Sequence, residues 1–385
     1  MKFKPVKIGV IGCGVISDTY MNNLKNTFSI TDLYACADLV DSKSDRRAEQ
    51  YQIKKMSNEE LLSDKEIDIV ANLTYASAHY EVTKQILDAG KHCYSEKMLA
   101  NSLDEADELY SLAKANGLML ACAPDTFLGA SLQTTRYIID KGLIGKPLIG
   151  TVLLTRFYQL IKTDQNDAER RFSVVRQGGG IPYDMGGYYL NALFNLFGPV
   201  KAVSGVCCTN DKIRPYLNPR HSLFDEDFVM DTENYMCGTL EFANGFCANI
   251  AITSDCATSQ HAFTIVGTEG ILYMPDPNNF GDKVYIQRVD GEKHEFPLVF
   301  PYNDKNRGIG IADMAWALRT ERTPRISAEM SCHGLEVVKG LVKSFESGKK
   351  YTTKYTFDRP VPLASGILKN GAQERSLYLY GDENV

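Results

Sequence analysis

No basic run in this sequence is longer than a pair, such as Arg170 with Arg171 or Lys349 with Lys350. With a net charge of −6 over 385 residues, it offers no patch for a nucleic-acid backbone or an anionic membrane surface. Long apolar runs are also missing: none approaches the roughly 20 residues that a membrane span needs, and MKFKPVK leads into the first apolar segment without a signal-type stretch. A cytoplasmic protein is expected. The ten cysteines include no Cys-x-x-Cys pair, and the six histidines no His-x-His or His-Glu-x-x-His spacing, so no metal is expected. Cys13, Cys36, Cys93 and Cys122 fall in expected strands or tight turns and read as buried free thiols of a reducing compartment. Cys207 and the adjacent Cys208 point to opposite faces of a strand. Internal repeats and low-complexity tracts are absent too.

What is present is ordinary soluble composition, 44% hydrophobic and 23% charged, on a chain long enough for two or three domains. The most informative stretch is VKIGVIGCGVIS, residues 6–17. Val6, Ile8, Val10 and Ile11 form a short apolar run that stops at Gly12, and Ile16, Tyr20, Met21 and Leu24 then recur at helical spacing. A buried strand thus passes through a glycine loop into a helix. Gly12 permits the tight turn and Gly14 leaves the backbone open to a diphosphate. The helix start at Val15 and Ile16 offers unpaired N–H groups to the anion, and Ser17 is small enough for helix and strand to pack closely. Asp38 closes the next apolar run, ITDLYACAD. There a carboxylate accepts from both adenosine ribose hydroxyls and repels a 2′-phosphate, so NAD is expected over NADP. Arg46 and Arg47, a few residues on, are expected to be solvated helix charges.

Further along, Ser57 with Glu60 and Ser102 with Glu105 make two capping boxes. IDIVANLT reads as a strand buried on both faces, AHYEVTKQILDAG as a helix, KHCYS as a strand, SLDEADELYSLAKANG as a helix and LMLACAPD as another strand. Strands alternating with helices predict a doubly wound parallel α/β sheet over residues 1–124, with its ligand at the strand ends Gly12, Asp38, Thr74, Ser95 with Glu96, and Ala123. From Thr126 the pattern changes. A connecting helix leads into longer alternating strands, with hairpins turning at Asn244-Gly245 and Asp290-Gly291. Residues 125–350 therefore read as an α+β domain with a large, mostly antiparallel open sheet, and 351–385 as an extended arm laid over a neighbouring surface. Within the second half, QGGGIPYDMGGYYLNALFNLFGPV brings glycines to a helix start where Asp184 and Tyr188, four apart, share one face. A carboxylate and a phenol so placed suit a hydroxylated substrate; a glycine hinge before a core helix fits the same residues.

GCGVIS, Asp38, NLTYASAH and YSEKMLA follow one another in the order and spacing of the Gfo/Idh/MocA oxidoreductases, and DMGGY, GTEG, LEFANG and RGIGIADMAWAL extend the resemblance to about residue 350. It implies a Rossmann-type first domain and a second domain for substrate and oligomerisation. It also implies that Thr74, His79 and Glu96 line the cofactor, that Lys97 lies beside the nicotinamide and the reacting hydroxyl, and that Asp184 and Tyr188 project toward substrate. Tyr188 stands where many relatives have histidine. Met98 replaces the proline that follows the family's lysine, and since a non-proline cis bond costs roughly 2.5–4 kcal/mol, a trans Lys97–Met98 bond is expected.

The resemblance implies hydride transfer between NAD and a secondary hydroxyl of a sugar, glycoside or cyclitol, with a 3-keto-glycoside among the products. A base must take the hydroxyl proton, and Lys97, close to a positive nicotinamide, is expected to have a lowered pKa. Whether Lys97 or Tyr188 is the immediate base stays open, with Asp184 orienting. Tyr158, with Phe172, Arg156 and Arg176, comes from a loop expected near the substrate entrance. A redox glycosidase that keeps its NAD, or a non-catalytic NAD- or sugar-sensing regulator, are the alternatives. Relatives of this type form homodimers or homotetramers, and the same is expected here.

Overall fold

The computed structural model describes residues 4–157, 179–215 and 224–363. The first half runs β1 (Val6–Ile11), α1 (Val15–Asn26), β2 (Thr31–Ala37), α2 (Asp41–Tyr51), β3 (Lys54–Lys55), α3 (Asn58–Ser63), β4 (Ile69–Asn72), α4 (His79–Asp88), β5 (His92–Ser95), α5 (Leu103–Ala115) and β6 (Leu120–Cys122). The six strands are all parallel, in the order β3-β2-β1-β4-β5-β6. Because β1 lies between β2 and β4, the chain leaves the sheet in opposite directions on either side of it, and the loops after β1 and β4 part to form a crevice. Both expected capping boxes are present, Ser57 with Glu60 starting α3 and Ser102 with Glu105 starting α5.

The second half continues with α6 (Ala130–Asp140), β7 (Pro147–Phe157), α7 (Ile181–Asp184), α8 (Gly186–Phe197), β8 (Val200–Cys208), β9 (Ile213–Pro215), β10 (Asp227–Val229), β11 (Tyr235–Phe242), β12 (Cys247–Thr253), β13 (Asp255–Gly267), β14 (Gly270–Tyr273), β15 (Val284–Arg288), β16 (Lys293–Phe296), α9 (Ile309–Thr320), α10 (Ala328–Ser347) and β17 (Tyr351–Thr352). Nine strands form one sheet, β16-β15-β14-β13-β7-β12-β11-β8-β17, and a two-stranded ribbon joins β9 to β10. All neighbours in the large sheet are antiparallel except β7 and β12. The hairpin turns fall where glycine supplies positive φ, at Gly245 (+88°) and Gly291 (+80°).

Register explains which face of this sheet is covered. Leu272, Ile265, Gly150, Ala248, Leu240 and Val203 lie side by side across six strands and face the core. The next row, Tyr273, Thr264, Thr151, Asn249, Thr239 and Ser204, points the other way and is half-buried or exposed. On the covered face Phe197 of α8 stacks on Phe246 with ring centroids 3.6 Å apart, and Phe194 meets His333 of α10 at 5.1 Å.

The chain then goes back to the first sheet. Asn23 of α1 donates to the carbonyls of Lys305 (2.6 Å) and Arg307 (2.8 Å), and Arg319 of α9 donates to Lys4 O at 2.9 Å. Asp125, just beyond β6, accepts from the N–H groups of Gly308 and Gly310 at 2.8 and 3.1 Å. The described part of the arm lies on its own chain: β17 pairs with β8, Arg136 donates to Pro360 O, Arg325 to Val361 O and Pro362 O, and Leu363 N donates to Gln133. No helix among the described residues is long and apolar enough to cross a membrane. The cysteines in them are all free, and no cluster of metal-ligating side chains occurs.

Candidate active site

The glycine loop is fixed by two different requirements. Gly12 sits at φ +101°, and a Cβ there would lie 2.6 Å from the backbone carbon and oxygen of Leu73, so only glycine fits against β4. Gly14 has an ordinary φ of −71°, and a Cβ on it would meet nothing within 4 Å. Its hydrogen side faces open space in front of the α1 N-terminus, which has no side-chain cap. Ser17 Oγ turns back onto Gly14 O at 2.6 Å. Asp38 is held by Cys13 N (2.7 Å) and Val40 N (2.8 Å), which tie the end of β2 to the glycine loop.

Arg47 departs from expectation. It is buried rather than solvated, paired with Asp18, and donates to Ser17 Oγ and Gly14 O at 3.2 Å each, so it braces the loop from behind. Arg46 is exposed as expected. Around the mouth stand apolar side chains left in solvent: Val15 (83% exposed), Ile16, Leu39 (94%), Val40 and Tyr75. An open anion site at a helix start, a ribose-type carboxylate and a rim of uncovered apolar groups together fit a dinucleotide.

On the opposite side of the crevice, Thr74 Oγ1 donates to Asn72 Oδ1 at 2.6 Å. His79 is buried, with Nδ1 2.7 Å from Met98 O and Nε2 3.0 Å from Thr74 O. It thus joins the loops after β4 and β5 instead of presenting its ring to the crevice, and burial lowers its pKa. Glu96 is likewise turned inward, accepting from Tyr20 OH at 2.6 Å and from Lys97 N at 3.1 Å. The Lys97–Met98 bond is cis, not trans as expected. The expectation weighed an isolated peptide, whereas Met98 here is buried and its carbonyl is engaged by His79.

Lys97, Asp184 and Tyr188 come together. Lys97 Nζ lies 2.6 Å from Asp184 Oδ1 and 3.0 Å from Asp184 O, and 5.2 Å from the centre of the Tyr188 ring. Asp184 and Tyr188 do not share a single helix: Asp184 ends α7, the chain breaks at Met185, and Tyr188 lies in the first turn of α8. Gly187 beside them faces Pro124 and Met98, where a Cβ would find ordinary contact at 3.5 and 3.8 Å.

The chain's own charges act on Lys97 in the direction opposite to the lowering expected from a positive nicotinamide. Burial pushes its pKa down, but the negative charge of Asp184 outweighs it, helped by Tyr188 and Glu96, and the net direction is up. Tyr188 is raised, chiefly by burial, while the cations Lys97 and Arg307 pull it back. Arg307, whose guanidinium carbon is 5.4 Å from the Tyr188 ring centre, opens the RGIGIADMAWAL stretch but is not among the site residues expected from the sequence. A second signal for it is its place just before Gly308, a turn with φ +98°. Tyr158, Phe172 and Arg176 lie outside the described residues.

A parallel sheet with a dinucleotide crevice, joined to a second sheet that supplies an acid and a phenol to a strand-end lysine, defines the NAD-binding oxidoreductase class. Residues 6–123 match the model of the oxidoreductase family with an NAD-binding Rossmann fold, and residues 132–273 match the C-terminal domain model of the same family. The chain belongs to the Gfo/Idh/MocA family. It is 28% identical over 218 residues to an uncharacterised oxidoreductase of Schizosaccharomyces pombe, covering 55% of this chain and 57% of that one. It is 27% identical over 168 residues to an inositol 2-dehydrogenase/D-chiro-inositol 3-dehydrogenase of Lactiplantibacillus plantarum, covering 43% and 47%. The chain thus spans about half the length of the curated relatives it matches. Among solved structures, a levoglucosan dehydrogenase in complex with NADH shares the fold with TM-score 0.76 and 16% identity, over 91% of this chain and all of that one.

Proposed function

We propose that this protein is an NAD-dependent dehydrogenase acting on a secondary hydroxyl of a sugar, glycoside or cyclitol, with C3 of a glycoside as the finer candidate position. The observation that carries this is the contact of the Lys97 ammonium with both Asp184 and the Tyr188 ring, at the strand ends that border the dinucleotide crevice. Similarity to an inositol dehydrogenase and to a levoglucosan dehydrogenase supports the substrate class.

Gly12, Gly14, Val15, Ile16 and Asp38 would hold the dinucleotide, with Thr74 and the loop tied by His79 and Glu96 closing the other side. Bound NAD would supply the hydride acceptor. The chain's own residues bind and orient the alcohol and move its proton. Lys97, held charged by Asp184, donates to the reacting hydroxyl oxygen and favours its loss of a proton, while Tyr188 stands next to it as the acid/base group. Asp184 fixes the ammonium and accepts from a neighbouring substrate hydroxyl.

A panel of free sugars, inositols and glycosides, each with NAD and followed by NADH absorbance, tests the proposal. Lys97→Met should abolish turnover with NAD binding retained, and undiminished turnover would refute the assignment. Through the outer face of its large sheet the chain is further read as a homodimer or homotetramer, which light scattering on the eluted protein checks.

A further inference from the structure

Two cations flank the Tyr188 ring, and they differ in what answers their charge. Lys97 has Asp184 at 2.6 Å. Arg307 has no carboxylate within ion-pair distance among the described residues; its hydrogen bonds go to the neutral side chain and carbonyl of Asn278. Both cations favour a charged phenol, Lys97 the more strongly, and the guanidinium at 5.4 Å from the ring centre adds to it while also facing the charges of Glu96 and Asp125.

The segment that carries Arg307 is held on both sides. Asn23 of α1 takes the carbonyls of Lys305 and Arg307, Asp125 takes the N–H groups of Gly308 and Gly310, and Asn306 Oδ1 accepts from Asp304 N. The tether reaches α1, the helix at whose start the dinucleotide's anion would sit. The Tyr188 hydroxyl itself makes no hydrogen bond among the described residues, although the residue is only 5% exposed. Its oxygen is left for a ligand.

We propose that Arg307 is a positioning residue for Tyr188: its guanidinium, fixed by Asn278 over the phenol ring, adds to Lys97 in stabilising negative charge on the phenol oxygen and so in making Tyr188 the immediate base. The inference rests on the dehydrogenase reading for the identity of the proton donor. In the step concerned, the substrate's O–H bond breaks, the phenolate oxygen of Tyr188 forms the new O–H bond, and the electron pair of the broken bond stays on the substrate oxygen. The groups facing Tyr188 are Lys97 and Glu96 from the turn after β5, Arg307 from the segment before α9, and Asp184 at the end of α7.

The test is a titration of Tyr188 in the full chain by tyrosinate ultraviolet absorbance, taken as the difference between each protein and its Tyr188→Phe counterpart. Arg307→Met should raise the midpoint by about one pH unit and lower turnover about tenfold on the acid side of it, while Arg307→Lys keeps the midpoint near wild type. A folded Arg307→Met protein with an unmoved midpoint overturns the proposal, whatever happens to KM or thermal stability. If that variant does not fold, Asn278→Ala, which frees the guanidinium from its tether, decides: an upward shift supports the proposal and an unchanged midpoint overturns it. The titration needs neither cofactor nor substrate. A wild-type protein that oxidises no polyol would therefore refute the proposed function without touching this result.

Discussion

Replacing Gly12 and Gly14 by alanine, one at a time, separates folding from binding in a loop where the two are usually confounded. At Gly12 the new methyl group meets the Leu73 carbonyl at 2.6 Å on a backbone at φ +101°. The left-handed backbone costs an L-residue roughly 1–2 kcal/mol and the overlap about 1–3 kcal/mol more, so Gly12→Ala should lose about 2–5 kcal/mol of stability. At Gly14 the same methyl enters empty space from an ordinary φ, and the cost, from a poorer helix cap, stays below about 1 kcal/mol. That empty space is where the dinucleotide's anion belongs. A ligand at one hundred times its dissociation constant stabilises the native state by about 2.7 kcal/mol. Thermal melts with and without NAD should show an early apo transition and a residual NAD shift for Gly12→Ala, and for Gly14→Ala a near-normal apo transition with no NAD shift. A Gly14→Ala protein that still melts later with NAD would refute the placement of the diphosphate.

Other outcomes follow from the same geometry. Asp38→Ala should lower the preference for NAD over NADP by at least about tenfold, read as the ratio of kcat/KM values, since an ion of one charge unit leaves the site; an unchanged ratio would remove Asp38 from ribose recognition. Asp184→Asn takes away the largest charge that raises Lys97, leaving burial to lower it against Tyr188 and Glu96 alone. The alkaline limb on which the ammonium loses its proton should then move to lower pH by roughly one to three units, measured in the pH profile of kcat/KM. Asp313 is buried and accepts from Arg322, Arg325 and Arg325 N at 2.6–2.7 Å, and although burial raises its pKa, the two guanidinium groups outweigh that and hold it below the usual carboxyl range. Its stabilisation is present above about pH 4 and is lost as pH falls through the depressed native value. Asp313→Asn should cost about 3–5 kcal/mol at neutral pH and flatten the acid side of the stability curve, which urea unfolding across pH would show.

Much of this was legible in the sequence because it is local. The glycine loop, Asp38, both capping boxes and the Asn244-Gly245 hairpin depend on neighbours within a few residues, and each stands where periodicity put it. Lys97, Asp184 and Tyr188 were visible through family spacing. The break at Met185 was not, because a helical pattern of apolar residues continues through it. Arg47 was misread for a related reason: its burial depends on Asp18 and Ser17, roughly thirty residues away, which no helix-surface pattern reports. The cis bond at Met98 lies outside any single-peptide preference. Arg307 was the hardest to find, since it reaches Tyr188 only through the return of the chain after the second sheet, and its distance in sequence from every other site residue hides it.

That return has a consequence for how the protein can be taken apart. The segment before α9 fills the hydrogen bonds of Asn23 and Asp125, and α9 covers Tyr94, whose ring a Cβ at Gly310 would touch at 2.7 Å. The parallel sheet is therefore completed by residues that follow the antiparallel one, like a clasp closing behind both. A fragment cut after residue 124 would leave part of α1 and the Tyr94 side chain bare, and it should precipitate or stay partly unfolded under conditions where the intact chain does neither.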